Sequence, residues 1–386
     1  MVVYTEYSMD PRVQREAEAL VASSGKDVLI LALKENIKPK LYIHEGVGIK
    51  ELNIDKYRGG SKFLYLLSYF RFIMLAFIQC NRLLFRKSLD IVHVHNMPNA
   101  LIFAAIIPYL CGKKIILDVH DTMPETYMAK FEGKIKDIII KKALEIEESI
   151  CCRMADKVIC VNHIQQEVLI NRGIPKRKML ITMNVPDPRV VKNTNIIKES
   201  PTVQGKFKMC YHGTITKRLG IDLAIQAIKR MEGKIPSFEF HIFGGGDGKE
   251  ECLALAESLE LQKCVNFRGS FAFEKLMPMI AGMDLGIIPN RNNQATELML
   301  PVKMLEYMAM GIPVVVPRLR AIRYYFSDEM VFFYDSEDIE SLSNTILMAY
   351  NDRALRMDKA NKARKFFDMY GWEIQKKDLI KMYDNL

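Results

Sequence analysis

Two tandem α/β units, each a parallel sheet covered by helices, are the fold class this sequence predicts. Three observations carry it. Short continuous apolar runs recur between amphipathic helical stretches, the signature of strands buried on both faces. The chain has 386 residues, more than one ordinary domain. Prolines and polar residues break the periodicity from Pro186 to Lys206. The implied division is a first unit over 1–188, a linker over 189–206 and a second unit over 207–369, with a helix over 370–386 packing back onto the first.

The chain opens on a short strand, Met1 to Tyr4. A turn with Ser8 and Asp10 then caps a helix beginning at Pro11, whose Val13, Ala17, Leu20 and Val21 share a face. Strands follow at DVLILAL, IVHVH (91–95), KIILDVH (114–120), KVICV (157–161) and MLITM (179–183), with a helix over NALIFAAIIPYL between the second and third of these. Phe63 to Lys87 is apolar and aromatic yet carries Arg71, Arg82, Arg86 and Lys87. It is either a helix covering the sheet or one lying in a membrane interface, and Lys130, Lys134, Lys136, Lys141 and Lys142 add charge nearby. The second series has strands at 207–213, 238–246, 265–270, 285–290, 314–317 and 331–334, and helices at Ile221–Met231 and Lys249–Leu259. From Glu337 to Leu386 the pattern is helical, interrupted at Gly371-Trp372.

Composition narrows the class. Hydrophobic residues at 49% and charged residues at 26% describe a folded chain with substantial cores. The balance of 55 Lys+Arg against 46 Asp+Glu gives +9 and favours an anionic partner. Eight cysteines without a CxxC pair or Cys/His cluster read as reduced, mostly buried thiols. No signal peptide is visible, and no run of 18 apolar residues lacks a charge, so no spanning helix is expected. Scattered basic residues without a stacking platform argue against nucleic acid.

The polar residues gather at strand ends. In the second unit these are Gly213 to Gly220 (GTITKRLG), Gly244 to Gly246 and Arg268-Gly269-Ser270, with Lys217, Arg218 and Lys303 to neutralise a diphosphate. Glycines there let a ligand approach the backbone, although a plain tight turn explains any single one of them. The stretch TELMLPVKMLEYMAMGIPVVVP (296–317) places Pro301 at a first helical position, sets Lys303 and Glu306 on one helix face, and ends at Gly311 before a buried strand. It reads either as a phosphate-binding helix start or as a surface helix with a chance ion pair. In the first unit His93, His95, His120 and Asp121 end strands, and Asp10 and Arg12 follow the opening strand. HVH alternates as metal ligands do, but no third ligand has suitable spacing, so no metal is expected. His163 and His212 have no evident partner.

YHGTITKRLGID, HIFGGGDG, VNFRGSFAFEKLMPMIAGMDLGIIPN and TELMLPVKMLEYMAMGIPVVV, with MDPRVQREAEAL, DIVHVHNMP and ILDVHDTMPE, resemble the retaining glycosyltransferase family 4 of nucleotide-sugar enzymes. The likeness covers nearly the whole chain. It implies the GT-B fold, two Rossmann-like domains facing across a cleft, and transfer of a sugar from a nucleotide-diphosphate donor to a hydroxyl acceptor. It implies Glu306 against the nucleotide ribose, and Lys217, Arg218 and Lys303 against the diphosphate. His120 would lie near the donor sugar. The implied catalytic set is His120, Arg218, Lys303 and Glu297. Gly213, Thr214, Gly244, Gly245, Arg268, Gly269, Ser270, Leu300, Pro301 and Val302 complete the donor site, and Asp10, Arg12, His95 and Asp121 the acceptor side. No metal or cofactor is implied.

This chain departs from the family in three places. The family's first glutamate would fall at Leu298, while this chain has Glu297; an arginine common after the loop glycine is Thr214; and the first loop, TEYSMDPR, contains no Gly. A lipid-linked or growing glycan acceptor in bacterial surface polysaccharide synthesis is expected, with peripheral membrane contact through 63–87 at the inner face of the cytoplasmic membrane. Two alternatives stay open: a nucleotide-sugar 2-epimerase on the same fold, and a non-catalytic nucleotide-binding partner subunit.

Overall fold

A computed structural model describes residues 1–35, 37–57, 59, 61–129, 135–186 and 206–386. The expected linker apart from Lys206, and Lys130 and Lys134, lie outside these residues. The chain divides into two compact units: Met1–Asn184 with Glu373–Leu386, and Val185–Trp372.

The first unit is an eight-stranded sheet ordered β3-β4-β2-β1-β5-β6-β7-β8. The strands are β1 (Val2–Glu6), β2 (Leu29–Leu33), β3 (Leu41–His44), β4 (Val47–Leu52), β5 (Ile91–His95), β6 (Lys114–Val119), β7 (Lys157–Cys160) and β8 (Met179–Ile181). All neighbours are parallel except β3 and β4. Helix α1 (Pro11–Ser24) is capped by Asp10, which accepts from the Val13 N–H at 3.2 Å, and ends at left-handed Gly25. It buries Val13 and Ala17 with Val3, Ile30 and Ile49 on one face of the sheet. The opposite face gathers Phe72, Ala76, Leu101, Ile102, Cys151 and Leu169 into a second core. These come from α2 (Lys62–Phe85), the segment 99–110, α5 (Ile135–Met154) and α6 (His163–Asn171), with α3 (Ile106–Leu110) and α4 (Met123–Met128) between them.

The sequence reading misses the β3–β4 hairpin. Its turn, Glu45-Gly46, has both residues at positive φ (48° and 78°), as a two-residue hairpin requires. The segment 99–110 starts as a 3₁₀ turn, Asn99–Ala105, before becoming α3. Helix α2 has two faces. Phe72, Ala76 and Cys80 are buried, while Phe63, Leu66, Phe70 and Phe85 are 60–79% exposed. Only 17% of its most apolar stretch is buried, and by length and composition this helix can cross a bilayer, contrary to the expectation set by its arginines. The last helix, Trp372–Asp384, lies on the first unit, where the Tyr383 hydroxyl meets His93 Nδ1 at 2.7 Å.

The second unit is a six-stranded parallel sheet, β11-β10-β9-β12-β13-β14. Its strands are β9 (Phe207–His212), β10 (Phe238–Phe243), β11 (Val265–Gly269), β12 (Leu285–Ile287), β13 (Val314–Pro317) and β14 (Phe332–Tyr334). A Cβ on Gly286 in β12 would lie 2.5 Å from the Tyr307 ring, and this close approach seats the helix Val302–Ala309 on the sheet. The tail has more breaks than expected: helices Ile339–Asn351, Arg353–Arg364, Phe366–Tyr370 and Trp372–Asp384. Asp352 restarts the second of these by accepting from the Leu355 N–H at 2.8 Å.

Candidate functional site

Three glycine turns follow β9, β10 and β11, and backbone hydrogen bonds join them edge to edge. The Gly213 N–H donates to the Phe243 carbonyl at 2.8 Å, that of Gly244 to Gly269 at 2.8 Å, and that of Ile215 to Gly245 at 2.9 Å. A Cβ on Gly244 would lie 1.9 Å from the Gly213 carbonyl oxygen, and one on Gly246 2.2 Å from that of Ile215. These two glycines let one turn lie on the next, which corrects the expectation that they clear a path for a ligand. Gly245 and Gly269 are open: added carbons there would meet only the Ser270 hydroxyl at 3.6 Å, and nothing within 4 Å, respectively.

The helix Val302–Ala309 brings charge to this edge. Pro301 is its N-cap, one position earlier than expected, and no side chain caps the first turn. Its leading N–H groups are therefore available to another acceptor. Lys303 Nζ donates to the Tyr211 hydroxyl at 2.7 Å and lies 4.1 Å from that ring's centroid. The Tyr211 hydroxyl in turn donates to the Thr214 carbonyl at 2.6 Å. Gly213 leaves room for the ammonium, since a Cβ there would sit 3.0 Å from Nζ. Burial lowers the Lys303 pKa to about 7, with Glu306 opposing and Arg218 reinforcing the shift. Among the described residues neither Lys303 nor Arg218 forms an ion pair, and Lys217 is exposed beside them.

Glu306 Oε2 lies 2.6 Å from His212 Nε2, and His212 Nδ1 lies 2.8 Å from the Tyr307 hydroxyl. This pairing escapes sequence reasoning because 94 residues separate its members. Glu297 Oε2 accepts from the Arg320 N–H at 2.7 Å, at the start of the helix Arg320–Tyr325. That is a capping contact through one of its two carboxylate oxygens. Arg268 Nε donates to His241 Nδ1 at 3.1 Å, so its guanidinium is drawn along the sheet. Leu300 and Val302 flank the N-cap without polar side chains.

The first unit's strand-end residues form a different kind of cluster. Arg12 grips Asp118 with two bonds of 2.9 Å, donates to the Thr182 carbonyl at 2.7 Å and lies 3.3 Å from Glu16. Asp118 Oδ2 also lies 3.1 Å from both His95 Nδ1 and His120 Nε2. Burial opposes the carboxylate's charge, but Arg12 and His120 outweigh it and hold Asp118 well below the usual range. Burial also disfavours charge on His120, yet Asp118 prevails and its pKa is raised. His95 goes the other way, lowered by burial.

Arg12 (2% exposed) and His95 (0%) are sealed inside, which corrects their place on the acceptor side. Asp10 is engaged as the α1 cap. His120 remains half-open, and Asp121 beside it is exposed. Sequence reasoning passed over Asp118, though a carboxylate inside the apolar run KIILDV is itself a signal. The spacing argument about HVH is corrected too: donor atoms of Glu16, His93, His95 and Asp118 all lie within 4.8 Å of one another. Two of the four, Glu16 and Asp118, already meet the Arg12 guanidinium, and burial pushes the Glu16 carboxyl up to about 7.

The family model described as Glycosyltransferase Family 4 matches residues 12–186, and that described as Glycosyl transferases group 1 matches 192–366. Among curated relatives, the chitobiosyldiphosphodolichol beta-mannosyltransferase of Debaryomyces hansenii is 22% identical over 306 residues, 71% of this chain and 64% of that protein. The amylovoran biosynthesis glycosyltransferase AmsK of Erwinia amylovora is 23% identical over 156 residues, 40% of this chain and 37% of its own. The chain thus spans less than two thirds of either relative. Among solved structures, a glycosyltransferase from Rickettsia africae superposes with a TM-score of 0.74 at 14% identity, covering 100% of this chain and 97% of that one. Anabaena HepE in complex with UDP gives 0.72 at 13%, covering 100% and 99%. At such identities these structures establish the shared fold.

Proposed function

The chain belongs to the group 1 and family 4 glycosyltransferases, and from that premise we propose that it moves a sugar from a nucleotide-diphosphate donor to a hydroxyl acceptor with retention at the anomeric carbon. One arrangement carries this reading: the Lys303 ammonium, met by a phenol and a ring face, and Arg218, without a partner side chain among the described residues, stand beside a helix start that no side chain caps. Such a place lacks two negative charges, and a diphosphate supplies them. The C1–O bond to the departing phosphate breaks as the acceptor oxygen bonds C1 from the same face, and the acceptor's proton passes to the leaving phosphate oxygen. Lys303, Arg218 and the helix N–H groups stabilise the charge growing on that oxygen. Glu306 takes the ribose, and Gly245, Gly269 and Ser270 line the donor; within the first unit, His120 and Asp121 are the strand-end groups that stay accessible. No metal or other cofactor takes part.

UDP is the proposed nucleotide, by likeness to the HepE complex. The acceptor is a lipid-linked or growing glycan in surface polysaccharide assembly, a reading favoured by the dolichol-linked sugar in the Debaryomyces protein's name and by AmsK's role. The exposed aromatic face of α2, with Arg71, Arg82, Arg86 and Lys87 on and after it, suits the cytoplasmic face of an anionic membrane.

Three experiments test these readings. Lys303→Ala and Arg218→Ala should each lower turnover of UDP-sugar by about 10²–10³-fold while the chain stays folded. Full turnover in either variant overturns the assignment, and the anomeric signal of the product by NMR decides retention. Flotation with anionic vesicles should carry the chain upward and leave Phe70→Asp behind. Equal flotation of both discards the membrane contact.

A further inference from the structure

We infer that His212 is a positioning residue for nucleotide recognition, locked in one tautomer so that it holds the Glu306 carboxylate toward the ribose. The inference rests on the proposed role of Glu306. His212 ends β9, in the centre of the second sheet, and its side chain is 7% exposed. The Tyr307 hydroxyl accepts from the His212 N–H at 3.1 Å and has one hydrogen to give. His212 Nδ1, at 2.8 Å, is a better acceptor for it than the Cys210 carbonyl at 3.4 Å. Nδ1 is then the acceptor, and the ring's own proton sits on Nε2, aimed at Glu306 Oε2 at 2.6 Å.

Among the described residues this is the one hydrogen bond to the Glu306 side chain, which is 12% exposed. The other oxygen, Oε1, is left for a ligand's hydroxyls. A glutamate on the first turns of a short helix has three rotatable bonds, and without an anchor its carboxylate would swing toward the Lys303 ammonium. The chain Tyr307–His212–Glu306 removes that freedom, and it is assembled from the end of β9 and a helix that the Gly286 contact seats on the neighbouring strand β12.

The test compares calorimetric affinities of UDP and its 2′,3′-dideoxy counterpart for the full chain, with the GDP and ADP pairs run beside them. In the native chain the ribose hydroxyls should favour the first member of a pair by at least about tenfold. His212→Leu should weaken binding of the ribonucleotide about tenfold and leave the dideoxy form unchanged. His212→Gln, which keeps an N–H donor near the Nε2 position, should recover most of the difference and also guards against a folding defect. If Glu306→Ala abolishes the ribose preference while His212→Leu retains it in full, the inference is overturned and the reading of the site stands. If Glu306→Ala keeps the preference, or no nucleotide binds, the reading itself fails and the inference with it.

Discussion

The two units each collect charge at the carboxyl edge of a parallel sheet, yet they treat it in opposite ways. In the first, Arg12 and Asp118 meet each other with two hydrogen bonds, and Thr182, His95 and His120 add further contacts. In the second, Lys303 has a phenol for a partner and Arg218 has no partner side chain among the described residues. A cation and an anion that hold each other answer to the folded state alone. A cation with no ion pair has an electrostatic deficit that only something from outside can fill, and burial makes that deficit large.

Removing one member of each set should expose the contrast. The largest effect belongs to Arg12→Ala. It strands Asp118 as a buried anion and should cost about 3–5 kcal/mol in urea unfolding. Pairing Arg12→Met with Asp118→Asn should recover more than half of that loss, and failure to recover would mean the pair is not self-contained.

Lys303→Met should behave in the opposite sense. The unfolded lysine keeps its proton to about 10.4, whereas the folded one loses it near about 7. Between those values the unfolded chain binds more protons, so native stability rises with pH across that window, by up to about 1.4 kcal/mol per pH unit. Lys303→Met should lack this rise and be at least as stable as the native chain at pH 7. A rise that persists in the variant would assign the proton elsewhere. Saturating nucleotide should flatten the native profile, because a bound phosphate returns the lysine to its charged form.

The smallest effect falls to Glu297→Ala. It removes one cap from the helix Arg320–Tyr325 and should cost about 1 kcal/mol without changing nucleotide affinity.

The same contrast explains what was legible beforehand. Apolar runs announce buried strands because burial on both faces demands them, and β1, β2 and β5–β14 follow from that alone. Lys303 and Glu306 were legible as a pair because three residues of helix bring them to one face. The β3–β4 hairpin was not, since its turn begins with a glutamate where asparagine or aspartate would be the usual sign. Nor was the fate of Arg12, whose partners lie 106 and 170 residues away. The Glu297 contact was hidden for a related reason: its helix partner lies 23 residues away and is set by packing.

The stacking of the glycine turns has a consequence for anyone redesigning donor choice. Because Gly244 and Gly246 press against the carbonyls of Gly213 and Ile215, the turn after β9 and the turn after β10 behave as one inherited piece. A graft that imports 213–220 from a relative with a different sugar preference must bring 244–248 with it. Exchanged singly, each segment arrives shaped for a neighbour that is no longer there.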